Sequence, residues 1–190
     1  MNKIILTLAA VMTLVLTACA KNKGGQNMQT GNKPLVVYFS ASGNTAQAAR
    51  TLADVTGGEL FEIVPRQAYT SADLDWNDSQ SRSSVEMNNP QARPALKKVK
   101  NDISTYDIIF IGYPIWWNQA PRIVNTFIES HDLKGKLLIP FATSGGSGIT
   151  GSVDELRKTY PDLKWESGKL LNGVSRDDIR SWADDVMQKR

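Results

Sequence analysis

From residue 35 onward, short unbroken apolar runs alternate with longer stretches of helical spacing. Residues 35–39 read as a buried first strand. A helix then places Ala48, Leu52 and Val55 on one face, and Gly57-Gly58 stops it. Residues 59–64 form a second strand ended by Pro65. Residues 66–94 are long and polar, with Tyr69 and Trp76 as the main aromatics. A short helix is expected over 79–86, and another, polar one from Arg93-Pro-Ala-Leu96 onward. Residues 107–112 are an apolar third strand. A helix over 121–130 starts on Pro121 and turns Ile123, Val124, Phe127 and Ile128 inward. Residues 136–142 are a fourth strand. Residues 150–159 are a helix with Val153 and Leu156 on its apolar side. Residues 165–171 are a fifth strand. Ser175 caps a last helix whose inner face carries Ile179, Trp182, Ala183 and Val186.

Strands alternating with helices imply a parallel sheet covered on both faces. Five strands in this rhythm fit an α/β, doubly wound, five-stranded parallel sheet of order 2-1-3-4-5. Such a sheet binds ligands outside the carboxyl ends of its strands, where the order switches between strands one and three. The loops after strands one, three and four should therefore carry the chemistry.

The first of these loops is Ser40-Ala-Ser-Gly-Asn-Thr45. A strand, a hydroxyl-rich turn and a helix start make an anion site. The first helical turn leaves N–H groups unpaired, and its dipole favours negative charge. Ser40, Ser42, Thr45 and the Asn44 amide add donors, and Gly43 lets the backbone come close. The loop has no Lys, so it does not fit the nucleoside-triphosphate loop. It also lacks the three-glycine dinucleotide fingerprint. Hydroxyls and N–H groups alone suit a terminal monophosphate.

The second loop holds Pro114, Ile115, Trp116, Trp117 and Asn118 before Pro121. Two adjacent Trp are costly to expose and hard to bury together. One is expected to plug the core beneath the helix at Pro121, the other to stack on a flat ligand. The third loop, Thr143, Ser144, Gly145, Gly146, Ser147 and Gly148, is small and rich in N–H groups that suit the polar edge of a ring.

Ser40 to Thr45 matches every specified position of S/T-x-S/T-G-N-T. With the Gly-Tyr-Pro-Ile-Trp-Trp run from Gly112 to Trp117, the chain from Leu35 to Arg190 resembles the flavodoxin-like family. The resemblance implies noncovalent FMN, with phosphate on the first loop and the ring between the other two. It also implies electron transfer or reduction of small acceptors. Flavodoxins often carry Gly beside the flavin N5, where a peptide flip serves one-electron reduction. Here Asn118 stands in that loop, and Asn tolerates positive φ. Tyr69 is a further residue expected to reach the flavin from the long polar stretch.

Residues 1–18 read as an export signal. Lys3 supplies the positive start, and residues 4–16 are apolar, too short a run to span a bilayer comfortably. Leu16-Thr-Ala-Cys19 resembles a bacterial lipobox, which implies lipid on Cys19 and membrane anchoring on the extracytoplasmic side. Cys19 is the only cysteine, so no intramolecular disulfide is possible. Residues 19–33 are polar, without apolar periodicity, and read as a tether. Residues 34–190 then form one domain.

The formal net charge is +3. No Lys/Arg stripe carries interleaved aromatics, which argues against nucleic acid. The surface is also less acidic than in many flavodoxin electron carriers. The single His131 sits on a polar helix end, and without further His or Cys no usual zinc site can be built. Asp177-Asp178 and Asp184-Asp185 are solvated helix faces. Ser144 and Ser147 lack a base for nucleophilic catalysis. Three functions stay open. They are an electron carrier, an FMN-dependent NAD(P)H:quinone-type oxidoreductase, and a flavin-binding module without turnover.

Overall fold

The computed structural model describes residues 33–189. The expected signal peptide over 1–18, most of the expected tether over 19–33 and Cys19 lie outside the described residues.

Strands β1 (Leu35–Tyr38), β2 (Glu59–Glu62), β3 (Ile108–Pro114), β4 (Leu137–Thr143) and β5 (Lys164–Trp165) form a parallel sheet of order β2-β1-β3-β4-β5. A short β6 (Lys169–Leu170) also pairs with β4. The helices are α1 (Asn44–Thr56), α2 (Arg82–Asn88), α3 (Arg122–Glu129), α4 (Thr150–Thr159) and α5 (Arg176–Met187). This is the doubly wound order that the block pattern implies.

Alternate residues of each strand feed two cores. Val37, Ile109, Ile111 and Leu138 pack with Ile123, Val124 and Phe127 of α3 on one face. Val36, Ile108, Phe110 and Ile139 pack with Leu52 of α1 and Ile179 and Ala183 of α5 on the other. Each such side chain contributes ~1.5–3 kcal/mol when fully buried. Trp182 is only partly buried, with its ring edge-on to Phe110 at 5.7 Å.

The fifth strand is broken. Glu166 donates to the Leu138 carbonyl and Leu171 to the Ala142 carbonyl, so β4 turns residues 138, 140 and 142 toward it. Residue 140 is Pro and has no N–H to offer, so the ladder loses a bond at the break. Gly168 passes so close that a Cβ there would stand 3.0 Å from the Pro140 carbonyl oxygen.

Three other expectations are corrected. No helix follows Arg93. Residues 95–97 instead run antiparallel to residues 64–66, with Arg66 N–H donating to Ala95 and Lys97 N–H to Val64. The backbone at the end of β2 outbids a stretch that Pro94 makes a poor helix. Strand β3 runs on through Tyr113 and Pro114, and β4 through Thr143, so Pro114 and Thr143 end strands instead of opening loops. Helix α2 starts three residues later than its predicted start, with Ser81 as the capping acceptor for Ser84 N–H.

Residues 65–97 are pinned at several points. Arg93 forks onto both Glu129 oxygens at 2.7 Å. That hydrogen bond holds the Glu129 carboxyl below its usual range. Arg122, buried at the start of α3, donates to the Met87 carbonyl at the end of α2.

Candidate functional site

The pairing of β1 with β3, and of β3 with β4, brings three strand ends to one edge of the sheet. Tyr38 lies beside Gly112, and Pro114 beside Thr143. Phe39 N–H donates to Gly112, and Ile115 N–H to Thr143, both at 2.9 Å. The three predicted loops therefore leave the sheet side by side. Gly112 has to be Gly here, because a Cβ would stand 2.1 Å from the Phe141 ring.

In the first loop, Gly43 takes φ 91° and hands the chain to α1. No side chain caps that helix. Its leading N–H groups have no intrahelical acceptor and stay available to an anion. Ser42, Gly43 and Asn44 are exposed around them. The Ser40 hydroxyl faces inward along the loop and accepts from Gly43 N–H. Thr45 is 1% exposed, and its hydroxyl meets that of Thr143 at 2.8 Å. This buried pair ties the start of α1 to the end of β4. Either hydroxyl can donate, so the Thr45 hydroxyl is free to donate elsewhere whenever Thr143 donates to it.

The second loop is a tight hairpin. Trp116 and Gln119 exchange two backbone bonds, at 3.0 and 2.9 Å. Trp117 and Asn118 between them have φ 45° and 60°. Two central residues at positive φ mark a primed turn, usually Asn-Gly or Gly-Gly. Asn suits that region, while a bulky aromatic there is strained. Trp117 is also 46% exposed. The tip rests on α4, where a Cβ on Gly151 would stand 3.6 Å from the Asn118 carbonyl oxygen.

Trp116 turns the other way and packs on the core. Its ring is edge-on to Phe39 at 5.7 Å and to Tyr69 at 5.5 Å. The core-facing Trp thus has Phe39 and Tyr69 as its ring partners. Tyr69 in turn donates to Glu86 and carries Arg82 over its face at 4.0 Å. Burial first, then the Glu86 hydrogen bond, pushes its phenol far above the usual range.

The third loop closes on itself. The Ser144 hydroxyl accepts from Gly146 and Ser147 N–H. Two of the N–H groups expected to face a ligand are therefore already used, while Gly145 and Gly148 are exposed. Ser144 is held by Asn172, whose amide accepts its N–H and donates to its carbonyl, both at 2.9 Å. Asn172 was not among the expected site residues. The only trace of it in the sequence is its place in the turn after the fifth strand.

His131 lies elsewhere, beyond α3, between the carbonyls of Phe127 and Lys100.

The family model described as flavodoxin matches residues 33–186. A flavodoxin from Maridesulfovibrio salexigens is 28% identical, over 83% of this chain and 99% of its own. The crystal structure of a candidate flavoprotein from Bacteroides eggerthii is 60% identical with a TM-score of 0.81, covering 83% of this chain and 99% of that one. A Lactobacillus acidophilus flavoprotein solved in complex with FMN shares the fold, with a TM-score of 0.61 at 21% identity over 74% of this chain and 93% of its own.

Proposed function

Because this chain belongs to the flavodoxin family, we propose that it binds FMN noncovalently at the carboxyl edge of β1, β3 and β4 and works as a redox protein. The observation that carries this reading is the convergence of an uncapped helix start, a strained exposed Trp and a Gly-rich loop on one edge. The flavin would supply the redox chemistry, and the protein its binding, orientation and electrostatics. The N–H groups of the first turn of α1, with Ser42, Asn44 and Thr45, hold the phosphate. Trp117 lies along the ring and shields it from water. Pro114, Ile115 and Asn118 line the ring edge on one side, and Gly145 and Gly148 on the other.

The residues fit this ligand. The phosphate site has no basic side chain in the loop, which suits one monophosphate better than a chain of them. Reconstitution of residues 33–190 with FMN tests the reading, followed by anaerobic reduction under a visible spectrum. One FMN per chain and reversible bleaching are expected. Two separable one-electron steps mark a carrier, and direct bleaching by NADH or NADPH marks an oxidoreductase. A chain that retains no flavin would sink the proposal.

Export and anchoring through lipid on Cys19 belong to the same reading. They rest on the signal-like residues 1–18 and on Cys19 as the only cysteine. Each acyl chain adds ~0.8 kcal/mol per buried CH₂, and two chains suffice for stable anchoring. Cys19→Ser is expected to shift the protein from the membrane fraction to the soluble one, or leave it unprocessed. Unchanged mature mass and unchanged membrane association would rule the anchor out.

A further inference from the structure

A cleft of about 350 Å³ has two arginines among its lining residues. Its walls are Arg66, Gln67, Arg82 and Ala95. That volume falls in the range of small-molecule sites, ~300–1,000 Å³. The antiparallel pairing of Arg66 N–H with the Ala95 carbonyl, at 2.7 Å, fixes both lining backbones.

The two guanidinium groups differ in a way that matters. Arg82 is preset by three contacts. Its Nε donates to Glu86 at 2.7 Å, its Nη1 donates to the Gln67 carbonyl at 2.8 Å, and its plane lies over the Tyr69 ring. Its remaining N–H groups have no acceptor among the described residues. Arg66 is exposed, and its side chain has no hydrogen bond or ion pair among the described residues. A fixed guanidinium and a free one on one cleft make a fork for an oxyanion, with the Gln67 amide as a further donor.

Arg82 covers Tyr69, and Tyr69 abuts Trp116, the neighbour in sequence of the residue assigned to the flavin.

We propose that the cleft between Arg66 and Arg82 docks the carboxylate or phosphate of a small molecule that exchanges electrons at this site. The proposal rests on the FMN reading above for the word electrons, and on the cleft alone for the anion.

Calorimetric titration of the FMN-loaded chain tests this with three probes: 2-naphthoate, its neutral counterpart 2-naphthalenemethanol, and ADP. Binding of either anion, but not of the alcohol, is expected. Arg66→Gln should weaken the anion that binds by at least tenfold, and Arg66→Lys by less, because Lys keeps the charge but loses the fork. Arg66 has no side-chain contact to break, so its loss leaves the fold alone. Arg82→Gln should act in the same direction. Naphthoate binding alone identifies a carboxylate partner, and ADP binding alone a phosphate-bearing one. Equal binding of alcohol and anion, no binding of either anion, or affinities unmoved by Arg66→Gln would overturn the proposal. A chain that takes no FMN fails the earlier reading instead, and naphthoate titrated into the flavin-free chain then still decides the cleft.

Discussion

Riboflavin is expected to bind this protein at least a hundredfold more weakly than FMN. The two ligands differ only by the phosphate, so the ratio isolates the first loop. The leading N–H groups of α1 have no intrahelical partner, and no side chain caps them. A hydrogen bond to a charged group contributes ~1.5–3 kcal/mol net. Two of them come to about 3–6 kcal/mol, which is roughly a hundredfold to ten-thousandfold at 1.4 kcal/mol per factor of ten. The helix dipole adds ~0.3–1 kcal/mol. Thr45, at the start of α1, adds a hydroxyl that it shares with Thr143. Thr45→Val should reduce FMN affinity and leave riboflavin affinity nearly unchanged, because the hydroxyl lost is the one assigned to the phosphate. Competitive titration of the two ligands against the flavin-free chain measures both effects. Equal affinities for FMN and riboflavin would end the phosphate assignment.

Much of the fold was legible because its causes are local. Apolar runs of strand length, Gly57 after α1, and Ser175 before α5 each mark an element by their own chemistry. Order 2-1-3-4-5 then followed from the alternation of strand and helix. The failures come from partners distant in sequence. Arg93-Pro-Ala-Leu96 reads as a helix start until the end of β2 is there to pair with it. Strand five reads as continuous until Pro140, some 25 residues earlier in the chain, meets it without an N–H. In the site, the loops were legible because the fold demands ligand chemistry at three known strand ends. Their internal bonding was not. Nothing in Thr143-Ser-Gly-Gly announces that Ser144 will consume two of the loop's N–H groups, or that Asn172 will hold it. Nor does a Trp pair say which ring turns inward. That is settled by a two-residue turn with both φ values positive, and positive φ at Trp is the outcome sequence propensity argues against most strongly.

The same turn makes the Trp pair separable by experiment, since its two members are expected to fail in opposite ways. Trp117 sits exposed at φ 45°, a strained position for a bulky side chain, worth on the order of 1–3 kcal/mol. Trp117→Gly should relieve that strain and raise the stability of the flavin-free chain by about 1 kcal/mol, less the added freedom of Gly when unfolded. It should weaken FMN at the same time. Stacking contributes ~0.5–1.5 kcal/mol beyond area, and covering the exposed ring adds ~25 cal/mol per Å². About 2–3 kcal/mol in total corresponds to roughly thirty- to hundredfold in affinity. Flavin emission, quenched by contact with the ring, should return in the bound variant. Trp116→Ala should do the reverse. Its ring packs edge-on against both Phe39 and Tyr69, which also touch each other, so truncation leaves a cavity beside that pair. A buried Trp→Ala costs ~3–5 kcal/mol, and a partly buried one somewhat less. Flavin affinity should fall only as far as the loosened loop allows. The pair is read by denaturant midpoints of both flavin-free variants and FMN titrations of both by fluorescence. If Trp117→Gly leaves FMN tight and dark, Trp117 is not the stacking ring and its strain has another cause. If Trp116→Ala keeps wild-type stability, the Phe39–Trp116–Tyr69 cluster does not hold the second loop in place.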